Sequence, residues 1–313
     1  SPPGPARWER KWKKRKEEER KGGGGRGKGR TKRGERRAEL RRAGGGAQGV
    51  GRGETHDKRD EKRGQAGRGQ VGVEGGGRPA VAFEMLDLDQ QPALDRFLAS
   101  HPADGTGLGP AVDWADSGWP AWSMYQPIAD VAVAAKLPLY AANLPSATVK
   151  AVALKGYDAL DPARVQSLGL RQPWPQARID TMLQEIFVSH CELMPKSALG
   201  GMVKAQRTRN AIMAARLRDS AGADGAVLVA GAGHVRTDFG VPLELRRDHP
   251  RVDSISVAMI EARPGSVAPA DYATDYNVKR LPFDYVVFTP GAERDDPCEA
   301  LKKRFGAMSK GAG

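Results

Sequence analysis

The segment "AGAGHVRTDFGVP", residues 230–242, sets His234 and Arg236 on a glycine-bearing turn directly after the apolar run Ala226-Val227-Leu228-Val229-Ala230. An imidazole can move protons or ligate a metal, and a guanidinium can grip an anionic group bidentately. Further polar groups stand at the ends of other strand-like runs: Glu84 in "AFEM", Asn143 in "AANLP", and the turn Gly53-Glu54-Thr55-His56-Asp57 after "GAQGVGR". A charged carboxylate at the end of an apolar strand is costly to bury unless paired. Glu84 is therefore expected to face a polar crevice, the plainer alternative being a turn cap or a stabilising arginine pair. For His234 the plainer alternative is a hydrogen-bonded turn residue. Gly231 and Gly233, which permit close approach of a ligand, and Arg236 two residues on favour the functional reading. His190 and Cys191, in "SHCELMP", read as packing and capping at a helix end.

These groups need elements to hold them. The run at 226–230 is continuous rather than alternating, the pattern of a strand covered on both faces in a parallel sheet. "RPAVAFEML" reads as a strand, and "LDQQPALDRFLAS" as an amphipathic helix with Pro92 in its first turn. A helix over 125–135 leads to a strand at 138–142. Helices over 176–194 and 198–218 precede the 226–230 strand, and "SISVAMIEA" and "YVVFTP" supply late strands. Strand and helix alternate, which predicts an α/β fold with a largely parallel central sheet flanked by helices. In open sheets of this kind ligands sit beyond the carboxyl ends of the strands, where His234, Arg236, Glu84 and Asn143 fall. No internal repeat is visible.

The net charge of +12 over 313 residues is unevenly spread. Residues 1–80 carry 25 Lys/Arg against 11 Asp/Glu and 21 of the 39 glycines, whereas residues 81–313 carry 25 against 27. The basicity thus belongs to the first quarter, and the rest is near neutral. Residues 1–50 are low in complexity and too poor in apolar groups to offset ordering entropy, so a disordered basic extension is expected there. A short charged helix over 8–21 would rest on i,i+4 pairs alone. Nucleic-acid binding by this arm ranks last, because aromatic residues for base stacking are nearly absent. A folded domain is expected over 51–305 and a flexible tail over 306–313. Cys191 and Cys298 are too few for a disulfide scaffold and lack zinc-type spacing; one disulfide between them stays open. No stretch is apolar for the length of a membrane span, and the first residues lack the apolar core of a secretion signal, so no export address is expected.

Taken in order, "RPAVAFEMLDLDQQPALD", "WPAWSMYQPIADVAVAAKLPLYAANLP", "HCELMP", "MVKAQRTRNAIMA", "VLVAGAGHVRTDFGVP" and "DPCEAL" resemble the ChaN family of haem-binding proteins over about residues 79–300. The Gly53–Asp57 turn is similar to that family's first Gly-Glu-x-His-Asp motif. Two positions depart from the pattern: Ser146 stands in place of an arginine after Asn-Leu-Pro, and Arg209-Asn210 in place of Arg-Asp. The glycine-rich texture on both sides of the Gly53–Asp57 turn predicts a poorly formed first βα unit. The resemblance implies haem as cofactor, a role in haem or iron uptake, and a homodimer enclosing stacked haems between facing pockets. It also implies the membrane association of a lipoprotein family, although this chain shows no such signal. Haem iron takes an imidazole or phenolate, and its propionates take cationic or backbone donors. Tyr125 is accordingly the first candidate for iron ligand and His234 the second. Arg236 and Arg209 would meet anionic groups, Asn143 would line the site, and Trp119, Trp122 and Met124 would lie against the porphyrin. The same turn is similar to that of erythromycin esterase and the Tiki-type metal-dependent proteases. On that rival reading the protein is a hydrolase in which Glu54, His56, Glu84 and His234 hold a divalent metal or activate water.

Overall fold

A computed structural model describes residues 49–54, 77–266, 268–291, 298–299 and 302, the first of these by their backbone. The basic extension before residue 49, with the helix proposed over 8–21, lies outside the described residues, as do Thr55, His56, Asp57 and the tail 306–313.

Six strands form one sheet in the order β3-β2-β4-β1-β5-β6. They are β1 (Gly49–Glu54), β2 (Ala80–Asp87), β3 (Leu139–Asn143), β4 (Ala226–Gly231), β5 (Ser254–Glu261) and β6 (Tyr285–Thr289). Every pairing between these strands is parallel, as the continuous apolar runs predict. β4 enters between β2 and β1, so the polar termini of three strands finish side by side: Glu54 is in register with Gly231, and Phe83 with Val229. Of the first βα unit, expected to be poorly formed, the strand is in place, and the segment that follows it lies outside the described residues. β1 pairs on both sides, with β4 and with β5. Such a ladder is made by backbone groups and does not require large side chains, so the glycine-rich composition did not forbid it.

Alternate residues of β2 enter different cores. Val81, Phe83 and Met85 pack with Leu94, Phe97, Trp114, Tyr125 and Ile128. Ala80 and Ala82 pack with Met213, Leu217, Leu228 and Ala258. The first face is covered by α1 (Gln91–Ser100), the short α2 (Leu108–Ala111) and α3 (Gln126–Ala134). Proline in the first turn of both α1 and α3 fixes where those helices begin. Between β3 and β4 the chain forms α4 (Ser146–Lys155), α5 (Pro162–Ser167), α6 (Gln176–Ser189) and α7 (Gly200–Ser220). α8 (Val241–Asp248) follows the turn after β4.

Helix α7 is the element on which the site depends. It is polar in composition yet buries Arg207, Thr208, Asn210, Ala211, Ile212 and Met213. Its first turn lies against α4 so closely that a Cβ on Gly201 would sit 1.9 Å from the Ala153 carbonyl oxygen. Helix α6 ends earlier than the 176–194 pattern suggests, because Cys191 and Glu192 both adopt left-handed backbone, with φ of 57° and 58°. Cys191 is joined there to Cys298, which resolves the cysteine question in favour of a disulfide.

Candidate functional site

Glu84 is 2% exposed, and its charge is met from three directions. Its Oε1 accepts from Arg209 Nη2 at 2.7 Å and lies 3.1 Å from His234 Nε2. Its Oε2 accepts from the backbone N–H of Gly231 at 2.6 Å. Strand β2 supplies the carboxylate, the end of β4 the amide, the following turn the imidazole, and α7 the guanidinium. The convergence expected of Glu84 and His234 is therefore present, and the carboxylate is fully partnered within it.

His234, itself 4% exposed, is engaged at both ring nitrogens. Asn210 donates its side-chain amide to the Phe239 carbonyl at 3.0 Å. That fixes the amide orientation and turns Oδ1 toward His234 Nδ1, 2.6 Å away. Nδ1 therefore carries a hydrogen, while Nε2 faces Glu84. Asn210 fills the position where the ChaN pattern has aspartate, and its amide oxygen does the accepting that a carboxylate would do. Gln206 closes the fourth side at 3.3 Å from the ring.

The turn carrying His234 is held by its own backbone. Val241 N donates to the His234 carbonyl at 2.7 Å and Gly240 N to the Arg236 carbonyl at 2.9 Å. A Cβ on Gly240 would come within 2.4 Å of both carbonyl oxygens, so this glycine is the one the turn requires. At Gly233 a Cβ would meet nothing nearer than 3.9 Å, which removes the close-approach argument at that position.

Arg236 is fully buried and consumed by protein groups. It pairs with Glu185 at 2.7 Å and Asp238 at 2.8 Å, donates to the Tyr276 carbonyl, and lies over the Phe239 ring. Burial pushes the Glu185 carboxyl up, against the opposing pull of Arg236. Tyr125 is also fully buried, its ring 4.9 Å from that of Trp114. Trp122 meets Trp114 edge-on at 4.8 Å.

A cavity of about 730 Å³ opens beside the cluster, within the range of small-molecule sites. Arg209 and Asn143, linked by a 3.0 Å hydrogen bond, line it. Tyr125, Trp122, His234 and Arg236 are not among its lining residues, whereas Trp119 is. Its apolar walls are Met85, Leu144, Val149, Ile186 and Met202. Lys150, exposed on α4, is a cation at the rim with no ion pair among the described residues. Asp87, Asp89, Asp113 and Asp116 line it too. Asp87 is pushed up to about 6 by burial and by neighbouring Asp89. The lining residues Lys150 and Met202 were missed from sequence, and His190 was read as a cap; the signal was polar residues beside apolar ones on α4, α6 and α7.

Of the four residues in the hydrolase reading, Glu84 and His234 touch, Glu54 stands on the adjoining strand end, and His56 lies outside the described residues. Among the described residues no group of three or more His, Cys, Asp or Glu side chains is placed to hold a metal ion, and no helix is long and apolar enough to cross a membrane.

The sequence model of the family described as "Haem-binding uptake, Tiki superfamily, ChaN" matches residues 45–245. The chain belongs to this family. Among solved structures it is similar to ChaN of Campylobacter jejuni, described with cofacial haem binding, at 20% identity and a TM-score of 0.60 over 80% of this chain and 89% of that one. Weaker likenesses are the type III effector HopBA1 (12% identity, TM-score 0.44, 81% and 92% covered) and an erythromycin esterase, EreC (16%, 0.37, 84% and 81%). No curated protein matches. The ChaN likeness supports the fold.

Proposed function

We propose that this protein binds haem in the cavity beside the Glu84–Arg209–His234 cluster, as part of haem or iron uptake. The observation that carries the reading is the cavity's composition in a chain of the ChaN family: apolar walls from β2, α4, α6 and α7, with Lys150 and Arg209 among the lining groups. The fit is chemical. A macrocycle needs apolar contact, which Met85, Leu144, Val149, Ile186 and Met202 offer with Trp119 beside them. Propionates need cations or donors, which Lys150 and the N–H groups of Arg209 not spent on Glu84, Asn143 and Gln206 offer. When bound, haem would supply an iron centre able to take a ligand or an electron.

On this reading His234 and Arg236 are positioning residues. His234 and Asn210 hold Glu84, Glu84 holds Arg209, and Arg209 with Asn143 presents donors to the cavity. Arg236 fixes the turn through Glu185 and Asp238. A homodimer closing over the haem is part of the proposal. Leu154 is 75% exposed next to lining residue Ala153, and Val188 is 42% exposed two residues before His190, so both offer apolar surface near the cavity. Membrane association is carried over from the family alone.

The test is a hemin titration of the full chain followed at the Soret band, with sedimentation run before and after. A saturable shift, weakened in Lys150→Ala and accompanied by dimer formation, is the expected result. A chain that gives no saturable shift does not bind haem, and the reading fails.

A further inference from the structure

We propose that the Cys191–Cys298 disulfide is a redox latch on the cavity wall. Intact, it fixes the end of α6; reduced, it lets that end relax and loosens the wall. The ligand so released is haem, a part of the proposal that rests on the reading above. Helix α6 closes in a Schellman arrangement: the N–H of Glu192 donates to the Phe187 carbonyl at 3.0 Å and that of Cys191 to the Val188 carbonyl at 2.9 Å. The left-handed residue of this motif is usually glycine, which has no Cβ to clash. Here it is Cys191, at a φ of 57°, and Glu192 follows at 58°. Two consecutive non-glycine residues in that region are unfavourable by themselves, and such a conformation persists where its surroundings over-determine it. The bond from Cys191 to Cys298 is a constraint of that kind, placed at the left-handed residue itself.

The end of α6 serves the cavity directly. Ile186 and His190 line it, and Glu185 pairs with Arg236 in the turn after β4. The bridge is also within reach of a reductant: both cysteines are half-buried, and exposed or strained disulfides are the reducible ones. The chain has no third cysteine to divert the exchange. The thiolate of a glutathione-class thiol attacks one sulfur, the S–S bond breaks, and the other cysteine leaves as a thiolate that takes up a proton. A second such thiol resolves the mixed disulfide. Two cysteines thereby gain two electrons and two protons, and the two reductant thiols become one disulfide. Freed of the bridge, Cys191 and Glu192 return to ordinary backbone, which breaks the two closing hydrogen bonds and turns His190 with the last turn of α6.

The experiment follows hydrogen exchange of the full chain without ligand, with and without reduced glutathione, thiols being counted by alkylation and mass spectrometry. Glutathione should open the bridge reversibly. The amides of His190, Cys191 and Glu192 should then exchange at least about tenfold faster, the factor for the strain of one left-handed residue, while those of β4 stay protected. Cys191→Ser with Cys298→Ser should match the reduced wild type. Cys191→Gly with Cys298→Ser should keep these amides slow with no bridge at all, because glycine takes the left-handed position freely. Hemin affinity should fall when the bridge is opened and be spared in the glycine variant. A folded chain whose bridge resists glutathione overturns the latch, as does unchanged exchange after reduction. A glycine variant as labile as the serine one overturns it too, and so does a loss of protection that extends to β4. Hemin affinity indifferent to reduction overturns control of the cavity. A wild type that takes up no hemin overturns the haem reading instead, and the exchange results still decide the latch.

Discussion

Replacing Glu84 by alanine tests the cluster most directly, because one carboxylate there meets Arg209, His234 and the Gly231 N–H. The substitution leaves Arg209, His234 and the Gly231 N–H facing a cavity where the charge had been. Removing one member of a buried ion pair costs about 3–5 kcal/mol, because the remaining charge is stranded. Arg209, with a side chain 19% exposed, can recover some hydration from the cavity, but His234 at 5% and the Gly231 amide cannot. An unsatisfied buried donor costs about 1–3 kcal/mol on its own. A loss of about 3–4 kcal/mol is therefore expected for Glu84→Ala. Glu84→Gln keeps the volume and one acceptor and should lose about 1.5–3 kcal/mol, the range of a hydrogen bond to a charged group. Arg209→Met strands the more deeply buried charge, Glu84 at 2% exposed, and should also cost about 3 kcal/mol or more. Urea titration followed by tryptophan fluorescence reads all three. With a slope of about 1–3 kcal/mol/M, the alanine variant should unfold at least about 1 M earlier. A cost below about 0.5 kcal/mol, the range of an ordinary surface substitution, would refute the buried, triply bonded carboxylate. So would a Glu84→Gln/Arg209→Met double mutant whose losses simply add, since contacting charges should couple by about 0.5–3 kcal/mol.

Two further outcomes follow from charge and chain connectivity. Asp87 titrates near 6 in the folded protein against 3.8 as its reference, so the folded state holds its proton more tightly; the resulting stabilisation is full below about pH 4 and lost as pH rises through 6. Asp87→Asn should leave urea stability unchanged at pH 4 and raise it at pH 8, by on the order of 1 kcal/mol after allowing for solvent screening at this partly exposed group; an equal effect at both pH values would contradict the assignment. The Cys191–Cys298 bridge spans 107 residues, and chain entropy over such a loop is worth up to about 5 kcal/mol. Reduction, or Cys191→Ser with Cys298→Ser, should lower the urea midpoint accordingly, and an unmoved midpoint would mean that the bridge does not form in solution.

Much of the fold was legible in the chain, for local reasons. Continuous apolar runs at 80–86 and 226–230 require a sheet covered on both faces, and prolines at helix starts mark where the covering elements begin. The order of polar termini Glu84, Asn143 and Gly231–Arg236 followed from those strands, and with it the rim at which they gather. Helix α7 was legible as a helix, but the roles of Gln206, Arg209 and Asn210 were not, since a polar helix face looks the same whether it meets solvent or a buried carboxylate.

What sequence determined, then, was which residues stand at strand ends, because strand periodicity and turn chemistry are set by neighbours along the chain. What only tertiary structure decided was which groups each of them meets. Arg236 is consumed by Glu185 and Asp238, from helix α6 and its own turn. Tyr125 is enclosed by Trp114 and the core beneath β2, whereas His190, which reads as a cap, comes to line the cavity. These outcomes depend on contacts between residues far apart in sequence, and a side chain's chemistry is fixed by the partners it finds there.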